Sequence, residues 1–338
     1  MELEFAQSII DKFNVKEYIV SIKKVQSGLI NSTFVLNSEA NSYILQAINT
    51  KVFPNYQMGL ENILTIGNWL KKKNYPYSFP LPIKGQYLKA KSEVWRLMPY
   101  VKNSISYNQI SSLAQVKSAA ACLGNFYRFL SDFKSENLHN TLPNFHNGNS
   151  IIKKFEEALL ISKKQRLLLT KALINKISNE ITILNKWDEV CNSLPKRVVH
   201  YDTKINNFLF NDKTNEVLAI IDFDTLMPGC VLSDIGDMIR TYSNPVGEES
   251  KEIEKVVCNT EIVNVIIKEF AKKASLEKKE KENLFFGGQA ITFMQCVRFL
   301  NDYLNGDIYY KISYQSQNLI RAKNQWALYL SLRKVKAL

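Results

Sequence analysis

The hydrophobic positions divide the chain into two unlike parts. Residues 1–13 carry apolar side chains at helical spacing and predict a short amphipathic helix. Three runs follow, over 19–25, 32–37 and 42–48, each alternating or rich in β-branched residues and separated by Gly, Asn and Ser; they read as strands. Over 58–73, Leu60, Ile63, Leu64, Ile66, Gly67 and Leu70 recur at helical spacing. Lys71 to Lys73 close that pattern, and cations suit a helix C-terminus. A loop marked by Pro76, Pro80 and Pro82 leads to two more strands, about 83–90 and 93–101. Beyond residue 102 the period becomes helical, predicting helices at 108–133, 152–177, 179–192, 233–242, 250–274, 278–304 and 315–335. The expected fold class is α+β: a small lobe of five strands and one main helix over 1–101, then a larger, mostly helical lobe over 102–338.

One stretch breaks the helical part. Residues 197–225 hold two short apolar strands around the polar island His200-Tyr201-Asp202-Thr203-Lys204-Ile205-Asn206-Asn207. A polar loop between apolar strands is where chemistry is expected.

Composition removes several function classes. The 338 residues are 46% hydrophobic and 22% charged, a globular balance that excludes wholesale disorder. The net charge of +12 raises the question of a nucleic-acid partner. Most of the basic residues, however, are Lys spread along the chain, with no arginine-rich arm and no aromatic-interleaved strand, so no nucleic acid is expected and an anionic small ligand is. The five cysteines lie far apart without a C-x-x-C pair, so neither a zinc knuckle nor a disulfide framework is indicated. The start, MELEFAQSII, is acidic and lacks a basic stretch before an apolar core, so no signal peptide is expected. No apolar run approaches the ~20 residues a membrane span needs. A cytoplasmic setting is the expectation.

In the island a strand delivers Asp202 into a loop, and an amide, Asn207, follows five residues later. A second apolar strand, Val217 to Ile221, then ends on Asp222. Phosphoryl transfer needs this set: one carboxylate orients the attacking hydroxyl, while an amide and a second carboxylate hold Mg²⁺ across the nucleotide phosphates. Each residue alone reads as a turn cap or strand end; together, at this spacing, they point to a kinase loop.

His-x-Asp-x-x-x-x-Asn followed by Ile-Asp-x-Asp resembles the loop of the aminoglycoside phosphotransferase and choline kinase superfamily, which shares the protein-kinase-like fold. The longer string from His200 to Arg240, with Asp224-Thr225-Leu226-Met227-Pro228-Gly229 and Asp234-Ile235-Gly236-Asp237, is similar to the N-acetylhexosamine 1-kinase branch. So are Gly28 to Phe34, Tyr43 to Asn49 and Arg298 to Asp307. The resemblance implies ATP and Mg²⁺ as cofactors, Asp202 as the base that also touches the acceptor, and Asn207 and Asp222 as metal ligands. It leaves Asp224 either as a second metal contact or as a turn cap. It implies that Lys204 touches the γ-phosphate, that His200 shapes the loop and that Asp234 braces it from behind. Arg298 and Tyr309 fall where the sugar pocket is implied, although Arg298 on an apolar helix also suits a pair with Asp302. Gly28 is implied to approach the phosphates, and Met98 and Tyr100 lie in the implied adenine hinge. The superfamily's third-strand Lys is replaced by Gln46; the expectation is that Gln46 donates a neutral hydrogen bond, that Glu61 orients it, and that Lys204 with Mg²⁺ supplies most of the neutralisation unless Lys51 or another residue replaces the missing cation.

The resulting expectation is a sugar 1-kinase acting on an N-acetylhexosamine. A kinase of the same superfamily for choline, homoserine or an aminoglycoside is the alternative, and a nucleotide-binding pseudokinase the reading from another class. The tail, with Lys311, Arg321 and Lys323, is not the acid-rich wall a cationic acceptor would need.

Overall fold

The computed structural model describes residues 1–25 and 30–335. Helix α1 (Leu3–Lys12) precedes a five-stranded antiparallel sheet of β1 (Ile19–Val25), β2 (Ser32–Ser38), β3 (Ser42–Ile48), β4 (Leu88–Ala90) and β5 (Glu93–Pro99), in spatial order β1-β2-β3-β5-β4. Period-two alternation assigns its faces. Phe34, Leu36, Leu45, Trp95 and Leu97 bury on one side against Ala6, Ile9, Ile10 and Phe13 of α1. Each buried Ile or Phe there contributes about 1.5–3 kcal/mol, so packing holds α1 although Glu2 before it makes no side-chain cap. The alternate residues, Thr33, Val35, Ile44, Gln46, Arg96 and Met98, line a cavity on the other side.

Helix α2 (Tyr56–Lys72) sends Ile63, Ile66 and Leu70 into the core of the C-terminal part. Its buried Asn62 donates Nδ2 to the carbonyls of His139 (2.8 Å) and Leu226 (2.9 Å) and accepts from the His139 amide (2.8 Å). One amide side chain thus pins α2 to the chemistry-bearing loops.

The C-terminal part is built from α3 (Leu113–Phe129), α4 (Gly148–Ile161), α5 (Lys164–Glu180), α6 (Thr182–Asn192), α7 (Leu232–Tyr242), α8 (Thr260–Lys273), α9 (Lys278–Glu282), α10 (Leu284–Leu304) and α11 (Gln317–Lys334). Small sheets sit among them: β6 (Ser104–Ile105), β8 (Phe208–Asn211) and β9 (Val217–Ile220) in order β6-β8-β9, and a pair formed by β7 (Arg197–Val199) and β10 (Met227–Gly229). Helix α10 is buried on nearly every side, as a central helix must be when it is apolar all round. It packs against α7 at two glycines: a Cβ on Gly236 would come 2.5 Å from the carbonyl oxygen of Gly287. Among the described residues no helix is long and apolar enough to cross a membrane.

Four long helices expected from periodicity are shorter, that over 108–133 being only α3, Leu113–Phe129. The one expected over 152–177 is two helices, α4 and α5, because Ser162 turns extended and donates Oγ to the Leu304 carbonyl at 2.9 Å. The one expected from 250 begins at Thr260, where Asn259 caps it by accepting from the Ile262 amide. That over 278–304 breaks at Asn283, after the capping box of Glu277 and Glu280. These interruptions lie in tertiary contacts and caps that a moving apolar stripe does not reveal. The strand expected at 83–90 is also only Leu88–Ala90, preceded by a turn in which Lys84 has φ of 59°.

Candidate active site

Strand β7 buries Val198 and Val199 and then releases the polar island. The backbone turns at Tyr201 with φ of 68°, a left-handed conformation that a bulky residue keeps only when its surroundings impose it. Asp234, near the start of α7, imposes it. Its Oδ2 accepts from the His200 amide (2.9 Å) and the Tyr127 hydroxyl (2.8 Å), and its Oδ1 from the Tyr201 amide (2.6 Å). The Thr203 hydroxyl donates to its carbonyl at 2.6 Å. Burial pushes the Asp234 carboxyl up, while His200 and the two amides favour its charge. His200 is fully buried. Its Nε2 bonds the Ile221 carbonyl (2.9 Å) and its Nδ1 accepts from the Asp202 amide (3.2 Å), so the ring ties the two strand ends together.

Asp202 faces the cavity. Its Oδ2 accepts from Lys204 Nζ (2.7 Å) and Asn207 Nδ2 (2.9 Å), and Oδ1 takes no hydrogen bond among the described residues. Burial would raise this carboxyl, but the Lys204 ammonium and the Asn207 amide hold it below the usual carboxylate range. Lys204 stays protonated against burial because Asp202 and Asp222 surround it. Asp222 follows β9 at φ 68°, ψ 61°, next to Asn207 through the Ile221 amide, which donates to the Asn207 carbonyl at 2.9 Å. Burial, then Asp224 and Asp202, push Asp222 up to about 6, with Lys204 and Arg96 opposing. Neither Asp222 oxygen nor Asn207 Oδ1 takes a hydrogen bond among the described residues. A free carboxylate beside a free amide oxygen is a hard-oxygen donor set that suits Mg²⁺, which keeps water and phosphate as its other ligands.

On the sheet side the structure departs from expectation. Gln46 donates Nε2 to Thr33 Oγ1 (2.9 Å) and accepts from Arg96 Nε (2.8 Å). Glu61 does not orient it: that carboxylate is 64% exposed and pairs with His139 Nε2 at 2.7 Å, because helical spacing turns it away from the face carrying Asn62 and Ile63. Asp224 is no free metal ligand either. The Arg96 guanidinium grips both its oxygens, and Asn31 Nδ2 donates to Oδ2 at 2.6 Å. Arg96, 2% exposed, was visible only as part of the hinge segment; its position opposite Gln46 follows from the β3–β5 register. Met98 and Tyr100 line the cavity. Strand β4 pairs with β5 only from Glu93 to Trp95, and the Tyr100 amide makes a long 3.4 Å bond to Ser42. Gly28 lies outside the described residues.

At the opposite end, Arg298 does not pair with Asp302. Its Nη1 donates to Gln295 Oε1 (3.2 Å) and its guanidinium lies 4.6 Å from the centre of the Phe145 ring. Asp302 instead accepts from the amides of Ile308 (2.9 Å), Tyr309 (2.7 Å) and Tyr310 (3.0 Å), fixing the turn that brings both tyrosines to the cavity. His146 stacks on Phe145 and bonds Ser233 Oγ at 3.1 Å. Burial, with Arg298 and Arg240 nearby, pushes its ring well below the usual histidine range. The cavity of about 390 Å³ therefore runs from Gln46 and Arg96, past Asp222 and Asp202, to Arg298 and Tyr309. Two acceptor atoms of its lining residues, Asp237 Oδ2 and Asn206 Oδ1, are buried without partners among the described residues.

Known structures share this architecture. A choline kinase, LicA, from Streptococcus pneumoniae aligns over 98% of this chain and 100% of its own, at 13% identity and a TM-score of 0.61. A choline kinase from Cryptosporidium parvum aligns over 98% and 96%, at 15% identity and a TM-score of 0.62. APH(2″)-IIia, solved with GDP and kanamycin, aligns over 96% and 99%, at 16% identity and a TM-score of 0.64. These likenesses establish the protein-kinase-like α+β fold. Residues 21–254 match the family model APH, a phosphotransferase enzyme family, and since that match spans more than half of the sequence and contains the whole braced loop, the chain belongs to this phosphotransferase family.

Proposed function

We propose that this protein is an ATP- and Mg²⁺-dependent sugar kinase that phosphorylates the anomeric hydroxyl of an N-acetylhexosamine. The observation that carries the kinase reading is the convergence of Asp202, Asn207 and Asp222 on one cavity. Residues 1–101 form the nucleotide lobe on this reading, with Met98 and Tyr100 beside adenine at the unpaired edge of β5, and residues 102–338 form the acceptor lobe. A spectinomycin phosphotransferase solved with ADP and an amicoumacin kinase solved with AMP-PNP and Ca²⁺ share the fold, which supports the same nucleotide chemistry here.

Asn207 Oδ1 and Asp222 would hold Mg²⁺, which would supply charge neutralisation to the nucleotide's phosphates. Asp202 Oδ1 accepts the hydrogen of the sugar hydroxyl and aims its oxygen at the γ-phosphorus. The O–P bond forms as the bond to the β,γ-bridging oxygen breaks; ADP leaves and the proton ends on Asp202. In a loose transition state this orientation matters more than early proton removal. Lys204, held by Asp202, stands where charge develops on the transferring group. Lys204→Ala is expected to lower kcat about a hundredfold, as when one preorganised donor is removed, in steady-state ADP release; a near-normal kcat would remove Lys204 from the mechanism.

The sugar assignment draws on charge accounting at the acceptor end. Asp237 and Glu248 share the one Arg240 guanidinium, and Arg298, held by Gln295 and an aromatic face, balances the negative charge they leave over, so this end of the cavity carries no net negative charge to draw a cation. Choline and aminoglycosides are cations; a neutral polyol fits better. Its hydroxyls would also supply donors to the unpartnered Asp237 and Asn206 oxygens. The test is ADP release across N-acetylglucosamine, N-acetylgalactosamine, choline, homoserine and kanamycin, with the product's phosphate position read by ³¹P NMR. Turnover confined to N-acetylhexosamines, giving a 1-phosphate, is expected. Turnover confined to the other three acceptors defeats the sugar assignment, and ATP binding without any turnover favours a pseudokinase.

A further inference from the structure

We propose that Arg96 supplies, from β5, the phosphate-neutralising cation that β3 lacks at Gln46, and that its pair with Asp224 takes the place of the strand–helix Lys–Glu pair of kinases. The inference rests on the kinase reading above and concerns which of this chain's residues faces the nucleotide's di- and triphosphate.

Kinase folds neutralise part of the phosphate charge with a third-strand Lys held by a helix Glu. Neither member stands here: position 46 is a neutral amide and Glu61 is on the surface with His139. Among the described residues four cations line the cavity: Arg96, Lys204, Arg240 and Arg298. Lys204 is bonded to Asp202, Arg240 to Asp237 and Glu248, and Arg298 lies over Phe145 at the acceptor end. Of these four, Arg96 alone stands on the sheet side. Gln46 and Arg96 are register partners on adjacent antiparallel strands, so a cation on β5 reaches the same face of the sheet as one on β3.

The guanidinium has five N–H groups. Nε donates to Gln46, Nη1 serves Asp224 Oδ1 and Tyr87 Oη, and Nη2 donates once to Asp224 Oδ2 at 3.0 Å. One Nη2 hydrogen is left over, and the next acid, Asp222 Oδ1, is 4.0 Å away. That remaining donor lies beside the residue assigned to the metal. At 2% exposure the charge is poorly screened and acts over a longer range than a surface cation would. Asp224, drawn by Arg96 to the sheet, belongs to the same turn as Asp222. Placing the cation therefore also places the metal loop, with no part for Glu61.

A mere strut between sheet and loop would predict lost stability only; a phosphate-facing cation predicts discrimination by phosphate number. The experiment is calorimetric binding of ADP and AMP, with and without Mg²⁺, needing no acceptor. Arg96→Met is expected to weaken ADP at least tenfold while AMP changes less than about threefold. Gln46→Lys combined with Arg96→Met is expected to recover most of the ADP affinity even though Asp224 stays unpaired, and Glu61→Gln to leave the ADP-to-AMP ratio unchanged. Gln46→Glu, which keeps Arg96 and Asp224 intact, is expected to weaken ADP selectively and serves should Arg96→Met fail to fold. Equal losses for ADP and AMP in Arg96→Met, no recovery in the double variant, an unaltered ratio in Gln46→Glu, or a ratio that falls in Glu61→Gln would each overturn the inference while leaving the kinase reading intact. A wild-type protein that binds no ADP would remove both.

Discussion

Asp202→Asn is expected to lower kcat about a thousandfold while leaving nucleotide affinity within a few-fold and the melting temperature close to wild type. General-base groups contribute roughly 10²–10⁴ in rate. Asn preserves the side-chain shape and one oxygen, so the loss isolates the charge and the proton-accepting capacity. The retained oxygen takes the Oδ2 position, where Lys204 and Asn207 both donate, and the amide NH₂ falls at Oδ1, where it cannot accept the acceptor's hydrogen; the cation beside the phosphates stays in place and nucleotide binding is kept. Steady-state kinetics with ADP titrations checks both halves. A kcat within tenfold of wild type would remove Asp202 as the group that orients the acceptor.

The second large effect lies behind the loop. Asp234→Ala orphans three donors at once: the amides of His200 and Tyr201 and the hydroxyl of Tyr127. Each buried unsatisfied group costs about 1–3 kcal/mol, so the sum is about 4 kcal/mol or more, near the top of what single substitutions do. The left-handed turn at Tyr201 then loses what imposes it, and Asp202 is no longer held. Misplacement by about an ångström costs roughly a hundredfold in rate. Asp234→Asn, with one acceptor oxygen retained, is expected to fall between Ala and wild type in both measurements. Thermal denaturation alongside kcat reads this, and a melting temperature unchanged in Asp234→Ala would show that the brace carries no stability.

The strands of the sheet and the loop from His200 to Asp222 were legible because their signals are local. Alternation along β2 and β3 states which face is buried, and the spacing of Asp202, Asn207 and Asp222 states which chemistry they share. Gln46 was legible as a missing charge. Its compensation was not, since Arg96 is 50 residues away and meets it only through strand register. Glu61 misled for a related reason: helical position gives proximity to the sheet but not which flank of the helix a carboxylate leaves by. Asp224 looked like a metal acid because sequence cannot show that both its oxygens are already bound. The burial of His146 had no local signal, since it depends on Phe145, Tyr201 and Ser233, the latter two more than 50 positions away. The long helices failed at Ser162 and Asn283, where no Pro or Gly marks the break.

The seam between Gly236 and Gly287 has a consequence for how acceptor preference can change. The segment that carries the loop's brace and the one that carries Arg298 approach backbone to backbone there, with Leu232, Ile239 and Ile291 packed against the same glycines, so they form a single tightly seated chassis. Side-chain variation on that chassis would disturb rate and recognition together. The turn after Asn305 is anchored by the carboxylate of Asp302 through main-chain amides, so at Tyr309 the anchor does not depend on the side chain. Directed evolution toward a new acceptor is therefore best aimed at Tyr309, which lines the cavity and is mounted through its main-chain amide.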